Sequence, residues 1–292
     1  MEKIIFDTDI GSDIDDSLCL AYLLKQPACQ LLGITTVSGE PVKRAMLASA
    51  LCKAANKDIP IYPGIERPLL APQRQPAAQQ ASALSKWKFE KDFEMNNAID
   101  FMRSTIHKYP GEVTLLAVGP MTNVALLFSI EPEIPSLLKR LVVMCGAFTD
   151  SPTNYGPREG NAICDPHAAA IMYNTAVPEC KSVGLDVTCQ ITINRSDLLH
   201  SFTSEIMKPV LDFAQVWFQE QEKITFHDPL AAAVIFNDKI CGFEKGNISV
   251  ITDDGGMCGQ TRWEPCVDGR HEAALSVDIT AFFEEYMKFI NA

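Results

Sequence analysis

Ten residues near the start of the chain, 7–16 (DTDIGSDIDD), hold five carboxylates: Asp7, Asp9, Asp13, Asp15 and Asp16. Like charges this close repel, so a folded chain needs a physical reason to keep them together. Three chemistries use such a run. A solvated turn spends one or two aspartates capping a helix that begins near Asp16, because helix N-termini favour carboxylates. A DxD after a first strand also suits phosphoryl transfer, with Asp7 as nucleophile and Asp9 as its acid–base partner. Here Gly11 follows Ile10 where that scheme wants Thr or Val, and no lysine-bearing motif follows to hold phosphate. The third chemistry is a hard divalent cation; calcium takes roughly six to eight oxygens from carboxylates, carbonyls and water. Asp9, Asp15 and Asp16, joined by Asp228 from the distant FHDP segment, supply most of such a shell. Asp228 precedes Pro229 and would also serve as a helix cap, as Asp165 does in CDPH, so local pattern leaves the choice open.

These residues must be positioned by something. Apolar runs of strand length recur (KIIFDTD, CQLLGITTVSG, EVTLLAVGP, KRLVVMCGAF, KSVGLDVT), each ending in small or polar residues as a buried parallel strand does where it enters a loop. Helical patterns alternate with them: DDSLCLAYLLKQ, PVKRAMLASALCKAANK, NNAIDFMRSTIHKY, TNVALLFSI, DPHAAAIMYNTA and later DPLAAAVIF. The alternation predicts an α/β fold with a Rossmann-like, open, mostly parallel but mixed sheet and helices on both faces. Residues 1–292 read as a single domain, with a mainly helical section around 195–240 contributing to the site. The stretch APQRQPAAQQASALS reads as an irregular or mobile loop. In open α/β sheets ligands sit beyond the carboxyl ends of the strands. The motifs at those ends are DTDIGSDIDD, TTVSGE, AVGPMTN and MCGAF with its REGNAICDP sequel, rich in carboxylates and carboxamides and with Arg158 the visible cation.

Composition narrows the partners. The 292 residues carry Lys+Arg 25 against Asp+Glu 37, a formal charge of -12, which argues against a phosphate-backbone binder and hence against nucleic acid. At 47% hydrophobic the chain has the makings of a folded core, and no stretch is long enough to span a membrane. Ten cysteines without a CxxC sit mostly in apolar runs, the usage of a reducing cytoplasm.

Taken in order, DTDIGSDIDD, TTVSG, AVGPMTN, EGNAICDP, GLDVT and FHDP resemble the nucleoside hydrolase family, the inosine–uridine preferring nucleoside N-ribohydrolases, from residue 4 to about 236. The resemblance implies calcium-dependent hydrolysis of the N-glycosidic bond of a ribonucleoside to free base and ribose, by a homodimer or homotetramer. It implies that Asp9 is both a calcium ligand and general base for the attacking water, that Asp16 is the bidentate ligand, and that the Val118 carbonyl and Asp228 complete the shell. Asp15, Glu159, Asn161 and Asn154 would hold ribose hydroxyls, and His227 would protonate or orient the base; Asp7 and Asp13 would be supporting residues. Two departures stand out. Glu40 replaces the family's Asn after TTVSG, accepting a hydroxyl bond but offering no amide donor, and the loop after Leu70 lacks the family's His-Gly and Asp-Gly-Leu-Gly segments. They leave base preference open, and they motivate an alternative in which the chain binds or cleaves another ribose-bearing ligand.

Overall fold

The computed structural model describes residues 1–150, 156–253 and 255–291. In chain order the elements are β1 (Glu2–Thr8), α1 (Asp15–Lys25), β2 (Cys29–Thr36), α2 (Pro41–Ala54), β3 (Ile61–Pro63), α3 (Ala98–Lys108), β4 (Val113–Ala117), α4 (Thr122–Ile130), α5 (Ile134–Leu137), β5 (Arg140–Met144), α6 (Gly160–Cys164), α7 (Pro166–Asn174), β6 (Cys180–Val183) and α8 (Leu185–Thr188). There follow β7 (Thr192–Asn194), α9 (Arg195–Ser201), α10 (Met207–Trp217), β8 (Lys223–Thr225), α11 (His227–Ala233), β9 (Cys241–Val250), β10 (Thr261–Pro265), β11 (His271–Val277) and α12 (Ile279–Ile290).

Nine strands form one sheet in the order β10-β9-β11-β6-β5-β4-β1-β2-β3, and β7 pairs with β8 in a separate ribbon. The strands from β3 to β6 run parallel, β11 joins parallel to β6, and β9 and β10 close that end antiparallel, so the sheet is mostly parallel but mixed. Alternation along each strand divides the apolar core between the two faces. Ile4 and Phe6 of β1, Leu116 of β4 and Val142 of β5 pack on the face of α1, α2, α10, α11 and α12. Ile5, Leu115, Leu141 and Val143 pack on the other, with α3, α4 and α7. A strand buried on both faces has no polar side, which is why these runs read as nearly continuous Ile, Leu and Val.

The chain leaves β1 outward through β2 to β3, then returns to lay β4 on the opposite side of β1. That reversal opens a crevice above the carboxyl ends of β1 and β4, where helices diverge to opposite faces. Two expectations need correction. GLDVT does not continue the strand β6; it forms the short helix α8. The segment read as an irregular or mobile loop contains a 3-10 helix, Gln79–Lys86, with Gln80 and Leu84 buried. Within the section expected to be mainly helical around 195–240 lie α9, α10 and α11, with the short strand β8 between the last two.

Candidate active site

Strand β1 ends at Thr8, and the turn after it carries the acidic run into the first turn of α1. Gly11 makes that turn possible, holding a φ of +115° that side chains disfavour. Thr8 stitches the turn closed: its Oγ1 accepts from the Ile10 amide at 3.1 Å and donates to the Asp16 carboxylate. Asp15 and Asp16 begin α1, where the helix dipole favours negative charge. Asp228 occupies the first turn of α11 ahead of Pro229, and its amide donates to Asp15 Oδ2 at 3.0 Å. The starts of two helices from opposite ends of the sequence therefore meet. One ligand oxygen from each of Asp15, Asp16 and Asp228 lies within 4.8 Å of the others, and all three residues are buried.

Around them is a cavity of about 120 Å³ lined by Asp9, Asp13, Asp15, Asp16, Gln75, Val118, Met144, Glu159, Gly160, Asn161, Leu185, His227 and Asp228. Asp9 thus shares the cavity with the three clustered aspartates, while Asp13 stands exposed at its rim. The Val118 carbonyl accepts from Asn161 Nδ2 at 2.5 Å, and the same amide donates to the Met144 carbonyl at 3.0 Å. Glu159 caps α6: Oε1 accepts from the Asn161 amide at 2.5 Å, and Oε2 from the Ala162 and Gly146 amides at 2.9 and 3.1 Å. His227 is buried, with Nδ1 at 2.7 Å from Thr188 Oγ1. Asp7 lies beneath the site and accepts on Oδ1 from Thr35 Oγ1 at 2.6 Å and Asn123 Nδ2 at 2.7 Å.

Glu40 falls outside the cavity lining. It adopts a left-handed conformation with φ 58° at the start of α2, a conformation its family counterpart Asn tolerates better. Its carboxylate instead accepts from the Ala78 amide at 3.0 Å and pairs with Lys43 at 2.5 Å, latching the 71–95 segment onto the site. Asn154 lies outside the described residues. Arg158 also stands off, donating to the Cys258 carbonyl at 3.4 Å.

Three residues that the sequence pattern does not single out hold the acidic turn in place. The first is Arg44, fully buried, whose guanidinium donates to the carbonyls of Gly39 (2.8 Å), Asp9, Ile10 (3.2 Å) and Ala77 (3.4 Å) and to Ser12 Oγ (3.0 Å). Gln80 donates to the Ser12 and Asp13 carbonyls, both at 2.9 Å. Gln75 lies against Asp9 inside the cavity, its Oε1 accepting from Ser38 Oγ at 3.2 Å. Nothing in the helical pattern marked Arg44, because α2 carries apolar or small residues on nearly every side and shows no clear polar face.

The electrostatics follow from burial. Desolvation, then mutual repulsion, raises Asp15, Asp16 and Asp228 well above the usual carboxylate range. Burial raises Asp9 as well, against the opposing pull of Arg44 and Gln75, and pushes Asp7 up to about 7. Burial also raises Glu159 despite its backbone donors, and lowers His227 to about 4, so its imidazole is neutral near pH 7. None of Asp15, Asp16 or Asp228 forms an ion pair with a described Lys or Arg. For these three buried carboxylates to ionise together they need a cation beside them, and an all-oxygen donor set suits a hard one. The cluster has the donors and the spacing to hold a metal ion.

Residues 4–284 match the model of the inosine-uridine preferring nucleoside hydrolase family. The chain belongs to that family. It is a nucleoside hydrolase, cleaving the N-glycosidic bond of ribonucleosides. A probable uridine nucleosidase 1 of Oryza sativa subsp. japonica is 29% identical over 273 residues, covering 88% of this chain and 83% of the relative. A pyrimidine-specific ribonucleoside hydrolase, RihB, of Escherichia coli is 32% identical over 197 residues, 64% of this chain and 61% of that protein. In structure, a purine-preferring ribonucleoside hydrolase from Gardnerella vaginalis superposes with a TM-score of 0.86 at 23% identity, covering 99% of this chain and 98% of its own, a likeness of fold.

Proposed function

We propose that the cation is calcium and that Asp9, Asp16, Asp228 and the Val118 carbonyl hold it, with Asp15 reaching from the same centre to a ribose hydroxyl. The observation that supports this is the convergence of buried Asp15, Asp16 and Asp228 within 4.8 Å, beside Asp9 and Val118 in one cavity. When bound, such an ion lowers the pKa of a water and orients it beside the ribose diol. Asp9 takes the proton from that water. Glu159 and Asn161, with Asn154, hold the remaining sugar hydroxyls. As the bond breaks, the sugar becomes oxocarbenium-like, and the surrounding carboxylates favour its positive charge. Neutral His227 addresses the departing base. Glu40 acts at one remove, through the backbone of Ala78.

The substrate in this reading is an uncharged small-molecule ribonucleoside. A 5′-phosphate would enter a carboxylate-rich cavity with no Lys or Arg among its described lining residues, and buried Arg44 behind the acidic turn is committed to carbonyls. Uridine, pyrimidine and purine all occur in the names of similar proteins, so base choice rests with residues beyond the sugar pocket. A neighbouring cavity of about 500 Å³ shares Asp13 and Gln75 with the first and is lined by Arg74, Gln79, Val216, Trp217 and Gln219, the surroundings that would receive a base. Residues 1–292 acting as one domain, a homodimeric or homotetrameric assembly and a cytoplasmic setting complete the reading.

The test is a panel of purine and pyrimidine ribonucleosides assayed for free base, with deoxyribonucleosides, nucleoside monophosphates and a generic phosphate ester alongside. Base release from ribonucleosides, with about one calcium per chain by metal analysis, is the expected result. Hydrolysis of the phosphate ester alone, or activity indifferent to chelation, overturns the proposal.

A further inference from the structure

Thr188 has no role in the chemistry described above, yet its hydroxyl lies 2.7 Å from Nδ1 of His227, and both residues are buried. It closes α8, the helical turn built from GLDVT, and that turn is firmly anchored. The Leu185 amide donates to the Gly146 carbonyl at 2.9 Å. Asp186 accepts from the Phe148 and Thr149 amides, each at 2.8 Å, and from Thr149 Oγ1 at 2.7 Å. Just beyond α8, the Ile191 carbonyl accepts from the Phe226 amide at 2.9 Å, tying the residue before His227 to the same platform. A β-branched side chain on so fixed a backbone has little rotamer freedom, so the direction of the hydroxyl is set by the fold.

We propose that Thr188 is a positioning residue for the leaving group: its hydroxyl donates to Nδ1 of His227 and so keeps the imidazole hydrogen on Nε2, turned toward the base. The two nitrogens of a neutral imidazole carry one hydrogen between them, and the bond at one decides the character of the other. With Nδ1 as acceptor, Nε2–H donates a hydrogen bond to the departing nucleobase nitrogen; the imidazole keeps its hydrogen, and the base leaves as an anion held by that bond and takes its proton from solvent afterwards. In the opposite tautomer Nε2 presents a lone pair to that nitrogen, and repels it. The same hydrogen bond fixes the ring plane, and with it the aim of Nε2. This inference rests on His227 serving the leaving group.

The experiment compares T188V, T188S and H227A on inosine, uridine and p-nitrophenyl β-D-ribofuranoside, whose leaving group is a stable anion that needs no donor. T188V removes the hydroxyl at nearly constant shape, and T188A does so with less crowding if valine does not fold. The expected result is a fall in kcat on the nucleosides of about ten-fold or more, since a preorganised hydrogen-bond donor to developing charge is worth about 10²–10³. KM and p-nitrophenyl riboside turnover should stay within about two-fold, with T188S recovering most of the nucleoside rate. Ring ¹⁵N shifts of His227 should report Nε2–H in the wild type and a mixture in T188V. Equal slowing of nucleosides and p-nitrophenyl riboside by T188V overturns the inference, as does an Nδ1–H wild type. If H227A is slow on nucleosides and T188V is not, Thr188 alone is refuted. If neither is slow, the leaving-group role of His227 falls with it.

Discussion

Replacing Arg44 with Met tests how the acidic turn is held. Methionine keeps much of the buried apolar stem and removes every donor, leaving four carbonyls and the Ser12 hydroxyl without their cationic partner. An unpaired buried acceptor costs about 1–3 kcal/mol. Ser12 and Ala77 are only half-buried, so water can serve their atoms; the carbonyls of Gly39, Asp9 and Ile10 lie deeper and carry most of the penalty. Lost attraction to Asp9 and Asp16 adds to it. Breaking one side of a buried charged arrangement costs about 3–5 kcal/mol, and that is the expected destabilisation of R44M. With a urea m-value of about 3 kcal/mol/M for a chain of this size, the unfolding midpoint falls by about 1–1.7 M. R44K, whose ammonium reaches one or two of these acceptors, should lie between R44M and wild type. On the proposed reading calcium should raise the midpoint of any variant whose site is intact, by an amount that depends on affinity. That increment should shrink in R44M, because the turn carrying Asp9 and Asp16 is no longer clamped. A midpoint within about 0.3 M of wild type, with the calcium increment unchanged, would refute the reasoning.

Chelation should invert the usual pH dependence: once metal is removed, the raised folded pKa values of Asp15, Asp16 and Asp228 mean that the native state binds protons more tightly than the unfolded chain. Stability of the stripped protein should then fall as pH rises from 5.5 to 8, measured by thermal melts with and without calcium; a flat or rising profile contradicts the account. Gly39→Ala would set a Cβ 2.4 Å from the Gln75 carbonyl oxygen and 2.5 Å from Pro76, backbone atoms that must move. Faster hydrogen exchange across 75–86 and a KM raised several-fold are expected, and unchanged exchange would show that the contact is not restraining the segment. At Glu2, burial opposes ionisation, but bonds from Lys139, Thr114 and Arg140 prevail and lower it to about 2. Its contribution, about 1 kcal/mol after solvent screening, is present above the ordinary 4.5 and lost as pH falls toward 2, so E2Q should flatten the acid limb of the stability curve.

Much of this protein was legible in its sequence because parallel strands buried on both faces must be apolar throughout. KIIFDTD and EVTLLAVGP announce themselves for that reason, and the polar residues at their ends mark where a ligand can sit. DTDIGSDIDD was legible too, since a chain that concentrates five carboxylates must offset their repulsion. The residues that hold the turn were not. Arg44 sits in an ordinary helical run, and its function depends on carbonyls brought to it by β1 and by the 71–95 segment. That segment lacked any periodicity to reveal its 3-10 helix, because its order comes from Gln80, Ala78 and Gly39 pressing on the site. GLDVT kept the composition of a strand and became a helical turn, since Gly184 is pinned close to the Gly146 carbonyl. Glu40 looked like a sugar contact by position and serves as a latch by geometry. Residue types determined which chemistry was possible. Only the meeting of α1 with α11, across more than two hundred residues of chain, decided which aspartates face one another, because carboxylates share a cation only where the fold spends its own stability to hold them together.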